Sequence, residues 1–209
     1  MTATKQFTTV IFDLGGVLVD WNPRYFYRKL FPGDEAAMED FLTNVCNSDW
    51  NLQQDAGRTF AEAADLLKRE HPDKAELIDA WLPGYPEMLG GVIQETVDVL
   101  RELHTRKVRT YALSNWSAET FRYALERYDF FKYFDGRLIS GDVKLIKPDP
   151  RIFQLLFDQF HIEPTSAVYV DDLARNVEAA NKLGLHGIHF KDAAALRAEL
   201  VSLGLLRGV

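Results

Sequence analysis

The sequence predicts an α/β fold: a Rossmann-like parallel sheet core with a small all-helical cap inserted after the first strand. Three observations carry this. Val10-Ile11-Phe12 is a β-branched and aromatic run, which reads as a buried strand. After Gly91, strand-type runs alternate with helical periodicities, the pattern of βα units and a parallel sheet. Between these regions, from about residue 20 to 89, only helical patterns appear. The expected division is a core of residues 1–19 and 90–209 and a cap of residues 20–89.

In order, residues 7 to 13 form the first strand. Asn22-Pro23 starts a helix, with Asn as cap and Pro at the first helical position. Asp34 caps a helix that places Met38, Phe41, Leu42 and Val45 on one face. Thr59 and Glu62 read as a capping box for a helix bearing Phe60, Ala63, Ala64 and Leu67. A short helix with Leu77, Ile78 and Trp81 follows Pro72, and Pro83-Gly84, Pro86 and Gly90-Gly91 then punctuate the chain. Beyond Gly91 come a helix (Val97, Leu100, Leu103), a strand (108–113), a helix (Phe121, Leu125, Tyr128) and a short strand (Leu138-Ile139). A helix (Ile152, Leu156, Phe160), a strand (167–170), a helix (Val177, Ala180, Leu183) and a strand (Ile188-His189-Phe190) complete the alternation.

Composition narrows the partner. The chain has 209 residues, 47% hydrophobic and 26% charged, as in ordinary globular proteins. A net charge of −7 argues against a nucleic-acid surface. No apolar run approaches the roughly 20 residues of a membrane helix, and Met1 to Gln6 has no apolar signal core. Cys46 is the single cysteine, so no intrachain disulfide forms and a reducing cytoplasm is expected. Cys46 itself reads as a small buried residue. The expected partner is a small molecule, with no nucleic acid or membrane, and the chain is expected to act as a monomer or homodimer.

Polar residues interrupt the apolar runs at chemically telling places. Asp13 ends the first strand, and Gly15-Gly16 lets the backbone turn there. Parallel strands gather such ends on one edge, where ligands bind in open α/β sheets. A carboxylate at that edge can serve as nucleophile, metal ligand or helix cap. Ser114-Asn115 ends the strand at 108–113, Lys147-Pro148-Asp149-Pro150 precedes a helix, and Asp171-Asp172 ends the strand at 167–170. Ser114 alone is also a natural N-cap, and a lone lysine is usually a solvated charge. Lys144, without a following proline, keeps that surface role.

These segments resemble the four motifs of the haloacid dehalogenase (HAD) superfamily. They read Phe12-Asp13-Leu14-Gly15-Gly16-Val17-Leu18, Leu113-Ser114-Asn115, Lys147-Pro148-Asp149 and Val170-Asp171-Asp172, and together span most of the chain. Within that superfamily the likeness is to small bacterial sugar-phosphate phosphatases of the glucose-1-phosphate type. The resemblance implies a Mg²⁺-dependent phosphatase that passes through an aspartyl-phosphate. Asp13 would be the nucleophile, and Ser114, Asn115 and Lys147 would hold the phosphate, with Lys147 also keeping Asp13 ionised. Asp13, the Gly15 carbonyl and Asp172 would hold the metal. Asp171 and Asn176 would support from behind, Asn176 by orienting Asp172. The helical insert would be a cap over the site. There Trp21, Trp50, Asp55 and Arg58, with Trp116 nearby, would face a sugar ring or simply pack. The five histidines lack zinc-ligand spacing and receive no role.

One departure matters. Most phosphatases of this family carry a second Asp two residues after the nucleophile, as general acid. Here that position is Gly15. A lost general acid costs about 10²–10⁴-fold, least where the leaving group departs easily. The reading therefore leans to sugar-1-phosphates or acyl phosphates. A positive φ is expected at Gly15, so an Asp placed there would be strained. Asp20 is a nearby acid with no geometric argument behind it. Two rivals stay open: a 2-haloacid dehalogenase of the same superfamily, and a non-catalytic member that binds a phospholigand or partner.

Overall fold

In the computed structural model, which describes residues 6–208, Val10-Ile11-Phe12 lies at the centre of the molecule. Residues 1–5 of the Met1 to Gln6 stretch lie outside the described residues. The chain runs through β1 (Thr9–Phe12), β2 (Val19–Trp21), α1 (Arg24–Tyr27), α2 (Glu35–Asn44), α3 (Ser48–Asp55), α4 (Phe60–Glu70), α5 (Ala75–Asp79) and α6 (Trp81–Met88). It continues through β3 (Leu89–Val92), α7 (Gln94–Thr105), β4 (Arg109–Ser114), α8 (Ala118–Arg127), β5 (Gly136–Ile139) and α9 (Ser140–Val143). It ends with α10 (Pro150–Phe160), β6 (Ala167–Asp171), α11 (Ala174–Lys182), β7 (His186–His189) and α12 (Ala193–Ser202).

Five parallel strands form the sheet in the order β5-β4-β1-β6-β7. Because both faces are covered, β1 is buried at every residue and reads as a continuous apolar run. Its side chains alternate between two cores. Val10 and Phe12 pack with α7, α12 and the insert, whereas Ile11 packs with Ile152, Phe153 and Leu156 of α10. The chain passes outward from β1 to β4 and β5, then crosses back to β6 and β7. The order thus reverses at β1, and the crevice at that reversal opens beyond the strands' carboxyl ends. Asp13 N–H extends the ladder to Val170 O at 2.8 Å, so the Asp13 backbone is fixed by the sheet.

The segment read as purely helical begins and ends on strands. β2 and β3 form an antiparallel ribbon in which Val19 faces Val92 and Trp21 faces Leu89, with a bulge between Asp20 and Trp21. Only the stretch from Arg24 to Met88 within it is helical, with one short 3-10 turn at Pro72–Lys74. Its caps follow from local chemistry. Asn22 Oδ1 accepts from Arg24 N–H at 3.0 Å, and Asp34 Oδ1 from Ala37 N–H at 3.0 Å. Thr59 Oγ1 accepts from Glu62 N–H at 3.2 Å, while Phe60 N–H goes to Glu119 Oε1 of the core at 2.8 Å. Pro83, Gly84 and Pro86 do not break the chain; all three lie inside α6. Pro83 sits in the first turn, where its missing N–H costs nothing, and Gly84 admits the Phe26 ring so closely that a Cβ would lie 2.3 Å from it. α12, beyond the last strand read from the sequence, starts at Asp192, whose Oδ1 accepts from Ala195 N–H at 2.8 Å.

The insert shares its hydrophobic core with one face of the sheet. Polar ties dock it as well: Ser140 Oγ donates to Asp55 O at 2.6 Å and Arg127 Nη1 to Pro86 O at 2.9 Å. Gly57, at φ +99°, packs where a Cβ would meet Lys144 Cγ at 2.8 Å. Among the described residues no helix is long and apolar enough to cross a membrane. Cys46 is buried, and burial pushes its thiol pKa up.

Candidate active site

Asp13 stands at the end of β1 with one oxygen tethered. Its Oδ1 accepts from Leu14 N–H at 2.7 Å and Ser114 Oγ at 2.9 Å, and pairs with Lys147 Nζ at 3.0 Å. Among the described residues no donor reaches Oδ2. A carboxylate fixed through one oxygen presents the other in a defined direction, as attack or metal binding requires.

Lys147 is buried, unlike the exposed Lys144 three residues earlier. Its ammonium has three N–H groups, and three acceptors meet them: Asp13 Oδ1, Asp171 Oδ2 at 2.7 Å and Leu113 O at 3.0 Å. A phosphoryl oxygen there would share one of these protons. Asn115 is spent differently from the expected phosphate contact. Its Oδ1 accepts from Lys147 N–H at 2.8 Å and its Nδ2 donates to Lys147 O at 3.0 Å, clamping the loop that carries the lysine. Ser114 Oγ likewise directs its proton to Asp13.

Asp171 is fully buried and richly bonded. Tyr169 Oη donates to its Oδ2 at 2.5 Å, Leu173 N–H to its Oδ1 at 2.8 Å, and Asn176 Nδ2 lies 3.0 Å from both oxygens. Asn176 therefore orients Asp171, not Asp172 as the one-turn spacing suggested. Tyr169 was missed. Yet strand alternation puts positions 169 and 171 on one face, and that signal was available. His189, assigned no role, places Nε2 2.9 Å from Asp172 O.

Burial alone would raise Asp171, but the Lys147 charge, its hydrogen bond and that of Tyr169 outweigh it and hold the carboxyl below its usual range. Asp13 behaves oppositely. Burial and the Asp171 charge lift it to about 7 against the pull of Lys147. Asp172, half-buried beside Asp171, is also raised, first by burial. One oxygen from each of Asp13, Asp171 and Asp172 lies within 4.8 Å of the others. Three acids around one lysine leave excess negative charge, which a hard divalent cation would offset with carboxylate oxygens as its natural donors. The donor set fits magnesium. Asp171 has both oxygens engaged, so Asp13 and Asp172 are the available pair.

The two glycines differ from expectation. Gly16, not Gly15, takes the left-handed φ, at +72°, and a Cβ there would lie 2.5 Å from Asp172 Oδ2. A Cβ on Gly15 meets nothing within 4 Å. Gly16→Ala is therefore expected to cost only about 1–2 kcal/mol in backbone strain, yet to displace the Asp172 carboxylate. Thermal melting should fall modestly while the chain's magnesium affinity, read by isothermal titration, drops sharply. Unchanged magnesium affinity in a folded variant would count against Asp172 as a ligand.

These residues open onto a cavity of about 380 Å³ that includes Asp13, Gly15, Ser114, Lys147 and Asp172, with Trp21, Asn51 and Asp55 on the insert's side. A larger depression of about 810 Å³, beside α7 and the start of α12, shares only Gly16 with it and holds none of the three acids. Of the remaining residues suggested for a sugar, Trp50 packs edge-on against Phe60 and Trp81 in the core. Arg58 Nε is held by Gln54 Oε1 at 2.8 Å. Trp116 is buried against Phe121. Asp20 is engaged by Tyr25 Oη at 2.6 Å and does not line the cavity.

A parallel α/β sheet thus gathers carboxylates and a buried lysine at its switch point, where ligands bind in such folds. Comparison with known proteins places the chain. A sequence model of haloacid dehalogenase-like hydrolases matches residues 7–184, and the chain belongs to that family. It is 28% identical to the sesquiterpene phosphatase AstK of Aspergillus oryzae, over 94% of this chain and 96% of that protein. It is 28% identical to the phosphorylated carbohydrates phosphatase of Thermotoga maritima, over 86% and 83% of the two chains. An (S)-2-haloacid dehalogenase of Pseudomonas sp. is also 28% identical, over 84% and 73%. Among solved structures, the HAD family enzyme BT-2542 of Bacteroides thetaiotaomicron, in complex with magnesium and inorganic phosphate, superposes with a TM-score of 0.67. That pair is 25% identical over 89% of this chain and 95% of the other.

Proposed function

We propose that this chain is a Mg²⁺-dependent phosphatase of small phosphate monoesters, with sugar phosphates as the favoured class, acting through an aspartyl-phosphate on Asp13. The observation that carries this reading is the cluster of Asp13, Asp171 and Asp172 around a single buried Lys147. An anionic substrate enters such a site only if a further cation offsets the acids. A metal-free dehalogenase would leave these acids balanced by Lys147 alone. Asp13, Asp172 and the Gly15 carbonyl would hold the ion, which when bound supplies charge stabilisation to the phosphoryl oxygens. The named activities of the Aspergillus and Thermotoga relatives support phosphatase chemistry, and the second supports a carbohydrate substrate.

The chain's own groups account for the rest. Ser114, Lys147 and the Leu14 N–H hold Asp13 Oδ1, so that Oδ2 faces the phosphorus. Lys147 keeps Asp13 and Asp171 from repelling one another. The helical insert shields the cavity from bulk water, as a cap over residues of the core. The dehalogenase reading is favoured by its relative's 28% identity and by Gly15, which removes the usual acid.

One assay separates the two. Aryl, acyl, anomeric and alkyl phosphates are tested beside 2-chloropropionate, each with magnesium and with a chelator. Phosphate release is expected, lost with the chelator and restored by magnesium, and Asp172→Ala should reproduce the loss at about 100-fold or more. Chelator-resistant halide release with no phosphate release would transfer the assignment to a dehalogenase.

A further inference from the structure

We propose that Asp55, carried on the helical insert, donates the proton to the leaving oxygen and takes the place of the carboxylate that Gly15 lacks. The inference rests on the phosphatase reading above.

Asp55 ends α3 and lines the same cavity as Asp13. With Gly15 it also lines an adjoining cavity of about 100 Å³, together with Trp21, Asn51 and Tyr85. The space a side chain at position 15 would use is open, since a Cβ there meets nothing within 4 Å. Asp55 thus shares with Gly15 the compartment in which the missing acid would have acted. Its placement is fixed. Ser140 Oγ holds its carbonyl at 2.6 Å, and Ser140 Oγ in turn accepts from Trp116 N–H at 2.9 Å. The Ser117 N–H bonds its carboxyl, and Asn51 Nδ2 reaches Oδ2 at 3.3 Å. Burial, with the Asp13 charge adding to it, raises the carboxyl to about 7, into the range where an acid can both hold and release a proton near neutral pH.

The small cavity indicates what leaves. Trp21 Nε1 and Asn51 Oδ1 are buried without a hydrogen-bond partner. Trp116 Nε1, on the wall of the same cavity, is likewise without a partner, and two donors and one acceptor beside an acid suit a small alcohol bearing further hydroxyl groups, such as a sugar or polyol. The step balances. Asp13 Oδ2 bonds to phosphorus as the bond to the ester oxygen breaks; that oxygen takes the electron pair and the Asp55 proton and departs as the alcohol. Water then attacks the aspartyl-phosphate, gives a proton back to Asp55 and frees Asp13 and inorganic phosphate.

The test compares Asp55→Asn with the native chain on glycerol phosphate and 4-nitrophenyl phosphate, with magnesium, after circular dichroism of each. The alkyl ester should lose about 10²–10⁴-fold and the aryl ester much less, because its leaving oxygen needs little proton help. Adding Gly15→Asp to Asp55→Asn should recover much of the alkyl rate. An unchanged alkyl-to-aryl ratio in folded Asp55→Asn overturns the role of Asp55 alone. A native chain inactive on every ester overturns the phosphatase reading and this inference with it. If Asp55→Asn does not fold, Gly15→Asp in the native chain decides. With Asp55 already donating, that ratio should change less than about tenfold; a rise of about 10² or more shows that no donor was present.

Discussion

Asp13→Asn is expected to lower turnover on the order of 10⁴–10⁶-fold, the range seen when a residue of a covalent catalytic unit is removed. The amide keeps an oxygen for Leu14 N–H, Ser114 and Lys147, so the tether survives. What is lost is the nucleophile. Its neutral side chain also removes a charge that burial and Asp171 already disfavour. The melting temperature should therefore hold or rise while phosphate release vanishes. Substantial activity in a folded Asp13→Asn chain would falsify covalent attack by this residue.

Lys147→Met should strike stability as hard as activity. The ammonium stands between two buried acids at 3.0 and 2.7 Å. Removing one partner of a buried ion pair costs about 3–5 kcal/mol, since the remaining charge is stranded. The pH dependence has a definite sign. In the native chain Asp171 is depressed, so its contribution is present above its unfolded pKa and is lost as pH falls. In Lys147→Met both acids rise, Asp13 from a value already about 7, so the penalty grows as pH climbs through neutrality and fades as they protonate. Denaturant titrations should show a larger gap between the two proteins at about pH 9 than at about pH 4. A gap of equal size at both pH values would mean that lost packing, not stranded charge, explains the variant.

The strands were legible because each is a short apolar run closed by a polar residue, and the parallel order follows from the helices between them. Asp13, Ser114 and Asp171 are brought together by that order, since each sits at a strand end, while Lys147 lies in the loop beyond α9 and is held there by Asn115. What stayed hidden depends on tertiary contact. β2 and β3 are short and bulged, and Gly90-Gly91 disguises the second as a turn. α6 holds Pro86 in its interior, which propensity alone would exclude. Asp55 is 42 residues from Asp13 in sequence, and only docking of the insert brings it to the cavity. Asn176 faces Asp171 because Asp171 points inward from the strand while Asp172 already belongs to the loop.

Asn115 has a wider consequence. Its side-chain amide offers one acceptor and one donor to the backbone of Lys147, the pattern by which one peptide group recognises another. The loop holding the lysine is in effect sewn to β4 as though it were one more rung of the sheet. The cation of the site thereby inherits strand-like order from the core, whatever the helical insert does. Asp55, by contrast, reaches its place only through contacts that cross between insert and core. One half of the site is thus built on the sheet and the other on the packing of insert against core, so a change that loosened that packing would open the cavity and displace Asp55 together.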